Sequence, residues 1–251
     1  MAGSFNRAAL LLRAIAQDAP RGASLRDLVT RTGLPRPTIH RVLRLLADSN
    51  WIERDDDAQF YLGRDLVGLG LAAMVRHPLQ RIADPALARL AEDIDQTIYL
   101  TLRVGDDAVC VARHEPQDRI QTLVLQVGTR EALGTGAGGM AILAALPEQE
   151  AQRIIAANIR RYRQRKGFDE AGFREAYTLA QRRGYALHDG LFREGISGIG
   201  VAIRDAARHP LAAISTAFVS EWLNQNEREH CATLLQETAA NLSRELLSLA
   251  R

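Results

Sequence analysis

The sequence predicts an α+β fold in two parts: an N-terminal helical unit closed by a two-strand wing, then a larger unit built on an antiparallel sheet. Three observations carry this. Apolar residues in the first 50 positions recur at helical spacing; those of residues 97–127 alternate every second position; helices, strands and a long C-terminal helix then follow in that order. At 251 residues and 47% hydrophobic, the chain has enough apolar mass for two cores.

The first predicted helix, residues 7–17, turns Leu11, Leu12 and Ile15 inward. A second begins at Ser24, which can cap it together with Asp27; Leu25, Leu28 and Val29 form its stripe and Gly33 ends it. The third opens at Pro35. Its Ile39, Val42, Leu43 and Leu46 fall at i, i+3, i+4 and i+7, so that face is buried. The opposite face carries Pro37, Arg41 and Arg44, flanked by Thr38 and His40, with Arg36 in the first turn. Residues 51–54 and 59–62 read as the wing, whose acidic tip Asp55-Asp56-Asp57 would be repelled by phosphate. Residues 64–76 form a helix with Leu66, Val67, Leu69, Leu71 and Met74 on more than one face. A helix that apolar calls for a partner, and a second copy of the chain would supply one.

Charge says what the small unit is for. Residues 1–47 hold eight arginines against Asp18 and Asp27, in a chain whose formal net charge is only +2. Any three-helix bundle can expose arginines, but Arg41 and Arg44, three apart on the unburied face, suit a major groove, where guanidinium bonds guanine O6/N7 or grips phosphate. The predicted partner is double-stranded DNA, and the candidate contacts are Ser24, Arg36, Pro37, Thr38, His40, Arg41 and Arg44. No signal-like leader and no 18-residue apolar run is present, so a cytoplasmic protein without membrane association is expected. Cys110 and Cys231 stand far apart without a CxxC, which suggests two small buried hydrophobes rather than a disulfide or a zinc site. No cofactor is expected.

In the larger part, residues 79–94 read as a helix interrupted near Pro85, followed by strands at 97–104, 108–114 and 120–127. After a glycine-rich loop come helices at 139–145, 147–159 and 169–183, strands at 185–188, 195–204 and 211–218, and a helix at 226–249. The basic run 160–166 reads as a solvated helix end. Three patterns approach catalytic motifs and fail. Residues 134–139 spell GxGxxG, but no second parallel strand follows to take a ribose. Gly195-Ile196-Ser197-Gly198 lacks the last glycine of a nucleophile elbow. His188 and Asp189, adjacent on a strand, point to opposite faces and cannot share a triad with Ser197 or Ser215. No catalytic residue is therefore assigned. Residues 134–139, opening onto a helix, instead aim backbone N–H groups at whatever lies before them, and an anion fits there; the same glycines also suit a tightly packed loop.

Taken together, the residues resemble the IclR-type transcriptional regulators. The resemblance rests on the run from Leu34 to Leu43, on Tyr61-Leu62-Gly63, on Val104-Gly105-Asp106, on the run from Gly136 to Ala144, and on Arg183-Gly184-Tyr185-Ala186 with the run from Pro210 to Ser215. It implies a winged helix-turn-helix over residues 1–63, a linker helix over 64–78 and a GAF-like effector and oligomerisation domain over 79–251. It also implies a homodimer pairing into a dimer of dimers, and a small carboxylic-acid effector. By position it places the effector against Ala137, Gly138, His188, Gly198, Ser215 and Ala217; Leu102, Leu123, Leu125 and Met140 are candidates for its apolar side, although residues at alternating or helical spacing are more often plain core. Relatives binding small acids commonly carry an acidic residue, a cysteine and a serine where this chain has His188, Gly198 and Ala217. A roomier cavity, a ligand larger than pyruvate or glyoxylate and a cationic imidazole are thus expected. The competing reading is a small-molecule-modifying enzyme fused to a basic helical module, which would not shift its own upstream DNA in a ligand-dependent way.

Overall fold

The computed structural model describes residues 3–18, 21–76, 79–117, 125–165, 167–191 and 193–249. The chain divides into two compact units, Met1–Pro78 and Leu79–Arg251.

The first unit runs α1 (Ser4–Ala16), α2 (Leu25–Thr32), α3 (Arg36–Asp48), β1 (Ile52–Arg54), β2 (Phe60–Leu62) and α4 (Asp65–Arg76). Ser24 and Asp27 form the expected capping box, and Gly33 closes α2 at φ 64°, a conformation glycine adopts without strain. Leu11, Ile15, Leu28, Ile39, Val42, Leu43 and Leu46 pack with Ile52 and Phe60 of the wing into one core. The wing is tied to the bundle by a bridge in which Ala23 and Phe60 exchange both backbone hydrogen bonds at 2.9 Å. At the wing tip one of the three aspartates also has a structural part. Asp55 accepts from the Gln59 amide and the Tyr61 hydroxyl, both at 2.8 Å, and these bonds hold its carboxyl below the usual range. Asp55 therefore shapes the wing, leaving Asp56 and Asp57 as its acidic tip. In α4, Val67, Leu69, Leu71 and Val75 are all more than half exposed.

The second unit contains α5 (Leu79–Ile94), β3 (Ile98–Val104), β4 (Asp107–His114), β5 (Arg130–Ala132), α6 (Gly136–Ala145), α7 (Glu148–Arg163), α8 (Glu170–Arg183), β6 (Ala186–Asp189), β7 (Ile196–Arg204), β8 (Pro210–Val219) and α9 (Gln225–Leu249). Its strands form one antiparallel sheet in the order β5-β4-β3-β8-β7-β6. One face packs Leu100, Ile199, Ile214 and Phe218 against Leu87 and Leu90 of α5 and Leu235 of α9. The other face meets α6, α7 and α8 through Ala108, Ala213, Leu143, Ile154 and Phe173.

Four expectations change here. Of the strand expected at 120–127, residues 120–124 lie outside the described residues and 125–127 are not strand, while β5 forms just beyond it. The helix expected from Gly139 begins at Gly136, because burial of every residue from Ala137 to Leu143 overrides the poor helix propensity of the glycines. Helix α5 contains Pro85 without a break. The basic run is not simply solvated: Arg161 pairs with Asp107, Arg163 with Glu170 and Arg165 with Glu131, whereas Lys166 lies outside the described residues. Both cysteines are buried and free, and burial pushes each thiol up to about 11.

Candidate functional site

Two sites emerge, one in each unit. On the first, the buried stripe of α3 fixes which side chains are left outside. Arg36, Pro37, His40, Arg41 and Arg44 are exposed and Thr38 is half-buried. None of the three arginines has an ion-pair partner among the described residues, in contrast to Arg31, whose guanidinium is bound by both Asp18 carboxylate oxygens at 2.6 Å. Free guanidiniums on one helix face are what phosphate and guanine edges recruit. Ser24 is placed differently from the other candidates. Its hydroxyl is engaged with Asp27 in the capping box, so it orients α2 and is not a free donor.

The second site is a cavity of about 70 Å³ between the α6 N-terminus and the sheet. The volume is room for about five water-sized spheres, or a compact organic ion. Glycines bring helix and sheet together. A Cβ on Gly200 would stand 2.4 Å from the Ala137 carbonyl oxygen, and one on Gly138 would stand 3.1 Å from both Ser215 Oγ and Thr101 Oγ1. The first turn of α6 thus lies directly on β7 and β8. Thr135, which precedes α6, makes no side-chain cap; it is 3% exposed, and its Oγ1 has no hydrogen-bond partner among the described residues.

Of the expected effector residues, Ala137, Gly138, His188, Ser215 and Ala217 line this cavity. Met140 does not: it is 1% exposed and packs in the α6–α8 core. Gly198 is not a lining residue either. The point where its Cβ would stand is 3.0 Å from His188 Nε2 and 3.2 Å from Ala137 Cβ, so the space expected from a missing cysteine is already filled. Leu125 lines the cavity, Leu102 packs on the α5–α9 face, and Leu123 lies outside the described residues.

His188 also corrects its expected charge. Burial strips the imidazole of water and pushes its pKa down to about 4, against a smaller opposing pull from Asp189, so the ring is neutral at pH 7. Because the folded value lies below the unfolded 6.5, this contribution to stability is intact above pH 6.5 and is lost as pH falls towards 4. His188→Gln is expected to remove about 2.5 kcal/mol of that acid sensitivity, read from urea midpoints at pH 7 and pH 4.5. Equal pH dependence in parent and variant would overturn the assignment.

Sequence reasoning missed Thr135, Thr101, Cys110, Glu131, Arg165 and Arg193, all of which line the cavity. Two-residue alternation places Thr101 on one face of β3 and was available to find it. Arg165 and Arg193 follow α7 and β6 in loops, and only the tertiary fold brings them to one cavity. Arg193 is exposed and has no ion-pair partner among the described residues. The near-miss catalytic pattern is also resolved: the Ser197 hydroxyl donates to Asp189 and lies 2.8 Å from Ser220 Oγ. Arg228 holds the same Asp189 at 3.1 Å, on the side of the strand away from His188.

An arginine-faced winged helix followed by a separate α+β unit defines a DNA-binding transcriptional regulator. Residues 4–56 match the family model described as the IclR helix-turn-helix domain, and residues 71–244 match that of the bacterial transcriptional regulator IclR C-terminal region. The chain belongs to the IclR family of transcriptional regulators. It is 27% identical over 248 residues to the glycerol operon regulatory protein of Streptomyces coelicolor, covering 97% of this chain and 96% of that one. In fold it is similar to an IclR-type regulator from Silicibacter, with TM-score 0.83, 19% identity and coverage of 98% and 96%. It is also similar to an IclR homologue from Microbacterium hydrocarbonoxydans complexed with 4-hydroxybenzoate, with TM-score 0.73, 20% identity and coverage of 98% and 100%. Among the described residues no helix is long and apolar enough to cross a membrane, and no His, Cys, Asp or Glu cluster is arranged to hold a metal ion.

Proposed function

We propose that the chain binds operator DNA in the cytoplasm as a dimer, further paired into a tetramer, and that a small carboxylic acid in the second unit modulates that binding. The carrying observation is the cavity: an uncapped α6 N-terminus, the unsatisfied Thr135 hydroxyl and the Arg193 guanidinium, without an ion-pair partner among the described residues, converge on it. A helix N-terminus beside a cation favours an anion, while the neutral His188 adds a polar wall without a second charge. An aromatic acid is favoured because Leu125 and Ala217 give the cavity an apolar side, and because a related fold is known with 4-hydroxybenzoate. The reading is non-enzymatic: Ser197, the one serine in an elbow-like sequence, is committed to Asp189 on the far side of its strand.

On the DNA side, Arg41 is assigned a base edge and Arg36 and Arg44 flanking contacts. Arg41→Ala should lose about 1–3 kcal/mol at the specific site and relax preference at one base pair. Unchanged affinity with unchanged preference would remove Arg41 from the readout.

The effector reading is tested by mobility shift on the chain's own upstream DNA, with benzoate-type, dicarboxylic and short 2-oxo acids added beside their amides. At least one acid should change the shift, and its amide should be much weaker. Equal potency of acid and amide, or no effect of any, would mean that the glycine loop is only a packing device.

A further inference from the structure

One of the cavity's arginines, Arg165, is already paired with a carboxylate of the chain itself. Glu131 sits on β5, and its Oε2 lies 3.9 Å from where a Cβ on Gly136 would stand, at the first turn of α6. Its Oε1 accepts from Arg165 Nη2 at 2.6 Å. Both side chains line the cavity and are partly sheltered, 23% exposed for Glu131 and 35% for Arg165. Helix dipole and guanidinium both favour an anion, and the Glu131 carboxylate, paired with Arg165, lies beside the first turn of α6.

We propose that Glu131 is a built-in competitor, which an anionic ligand displaces from Arg165 and which sets the affinity and charge selectivity of the cavity. This rests on the anion-cavity reading above and goes beyond it. An ion pair within one chain competes at high effective concentration, so a ligand must add contacts that Glu131 lacks. The unsatisfied Thr135 hydroxyl and Arg193 offer those contacts. A bare small anion lacks the reach to use both and is discriminated against. Displacement also frees the link between β5 and the segment that follows α7, so ligand entry alters how the sheet edge is tied to that helix.

The test is calorimetric titration of the full chain, its Glu131→Gln variant and its Arg165→Gln variant with benzoate, succinate and pyruvate, using benzamide as the neutral control. Glu131→Gln should bind at least one acid about five- to tenfold more tightly than the parent with no gain for benzamide, since only a charged ligand profits from losing a like charge. Arg165→Gln should bind the same acid more weakly by a similar factor. An acid that binds the variant Glu131→Gln and not the parent supports the proposal too. Acid binding unchanged or weakened by Glu131→Gln overturns the competitor while leaving the anion cavity standing. Should Glu131→Gln fail to fold, undiminished acid binding by Arg165→Gln overturns it alone. If no acid binds the parent or either variant, the anion cavity itself is wrong and the competitor falls with it.

Discussion

Replacing Gly200 by alanine is expected to unseat α6 from the sheet, lowering the stability of the second unit and abolishing its ligand response. The added Cβ would stand 2.4 Å from the Ala137 carbonyl oxygen, 2.5 Å from its carbon and 2.9 Å from the Gly138 nitrogen. All three are backbone atoms, so no rotamer change can relieve the contact. The first turn of α6 must lift, and with it the amides that face the cavity. Overpacking of this kind costs about 3 kcal/mol, which in a unit of this size lowers the melting temperature by about 6–12 °C. DNA-binding side chains lie in the other unit and should remain folded. A melting temperature and an acid affinity equal to the parent's would mean that α6 does not rest on β7 as described.

The close approach at that glycine was not legible in the sequence, whereas the exposed arginine face of α3 was, and the contrast has a physical basis. Which face of α3 is buried follows from the spacing of Ile39, Val42, Leu43 and Leu46, a local property of one helix, so Arg41 and Arg44 are placed outside before any tertiary contact is known. The importance of Gly200 depends on a helix 60 residues earlier in the chain crossing its strand. The same distinction separates Ala137, Gly138, His188, Ser215 and Ala217, which line the cavity, from Met140 and Gly198, which do not. Met140 sits on the right helix but on its core side. Gly198 shares a strand row with His188 and Ala217, and His188 occupies the volume that its small size suggested was empty.

The charge of His188 was misjudged for a related reason. An imidazole's ordinary pKa is a property of the residue, but the desolvation that lowers it to about 4 belongs to the packed sheet. Of the two readings the sequence leaves open for the glycine loop, an anion cradle or a packing device, Gly138 bears out the packing. Close approach of α6 to Ser215 and Thr101 is the means by which the helix terminus reaches the cavity.

Leu71→Glu is expected to break the proposed dimer into monomers and to weaken binding to a two-half-site operator by about a hundredfold or more, because linked half-sites bind with high effective concentration and separate ones do not. In α4, Val67, Leu71 and Val75 stand at i, i+4 and i+8, one face of the helix, at 62%, 59% and 83% exposure. Gly68, beside them, has nothing within 4 Å of where its Cβ would be, so another backbone can come close. A water-exposed stripe of this kind is costly to leave uncovered at about 25 cal/mol per Å², and Asp65 and Arg76 are the only charges on the helix. A second α4 laid against the stripe would cover it and hold two α3 helices as a pair, as half-site recognition requires. A glutamate at position 71 would put an unpaired carboxylate into that seam, where desolvation opposes association. Sedimentation of parent and variant at micromolar concentration, with mobility shift on full and half operators, reads both effects. A parent that sediments as a monomer would overturn the dimer, and a Leu71→Glu variant that stays dimeric and keeps full operator affinity would place its seam elsewhere than α4.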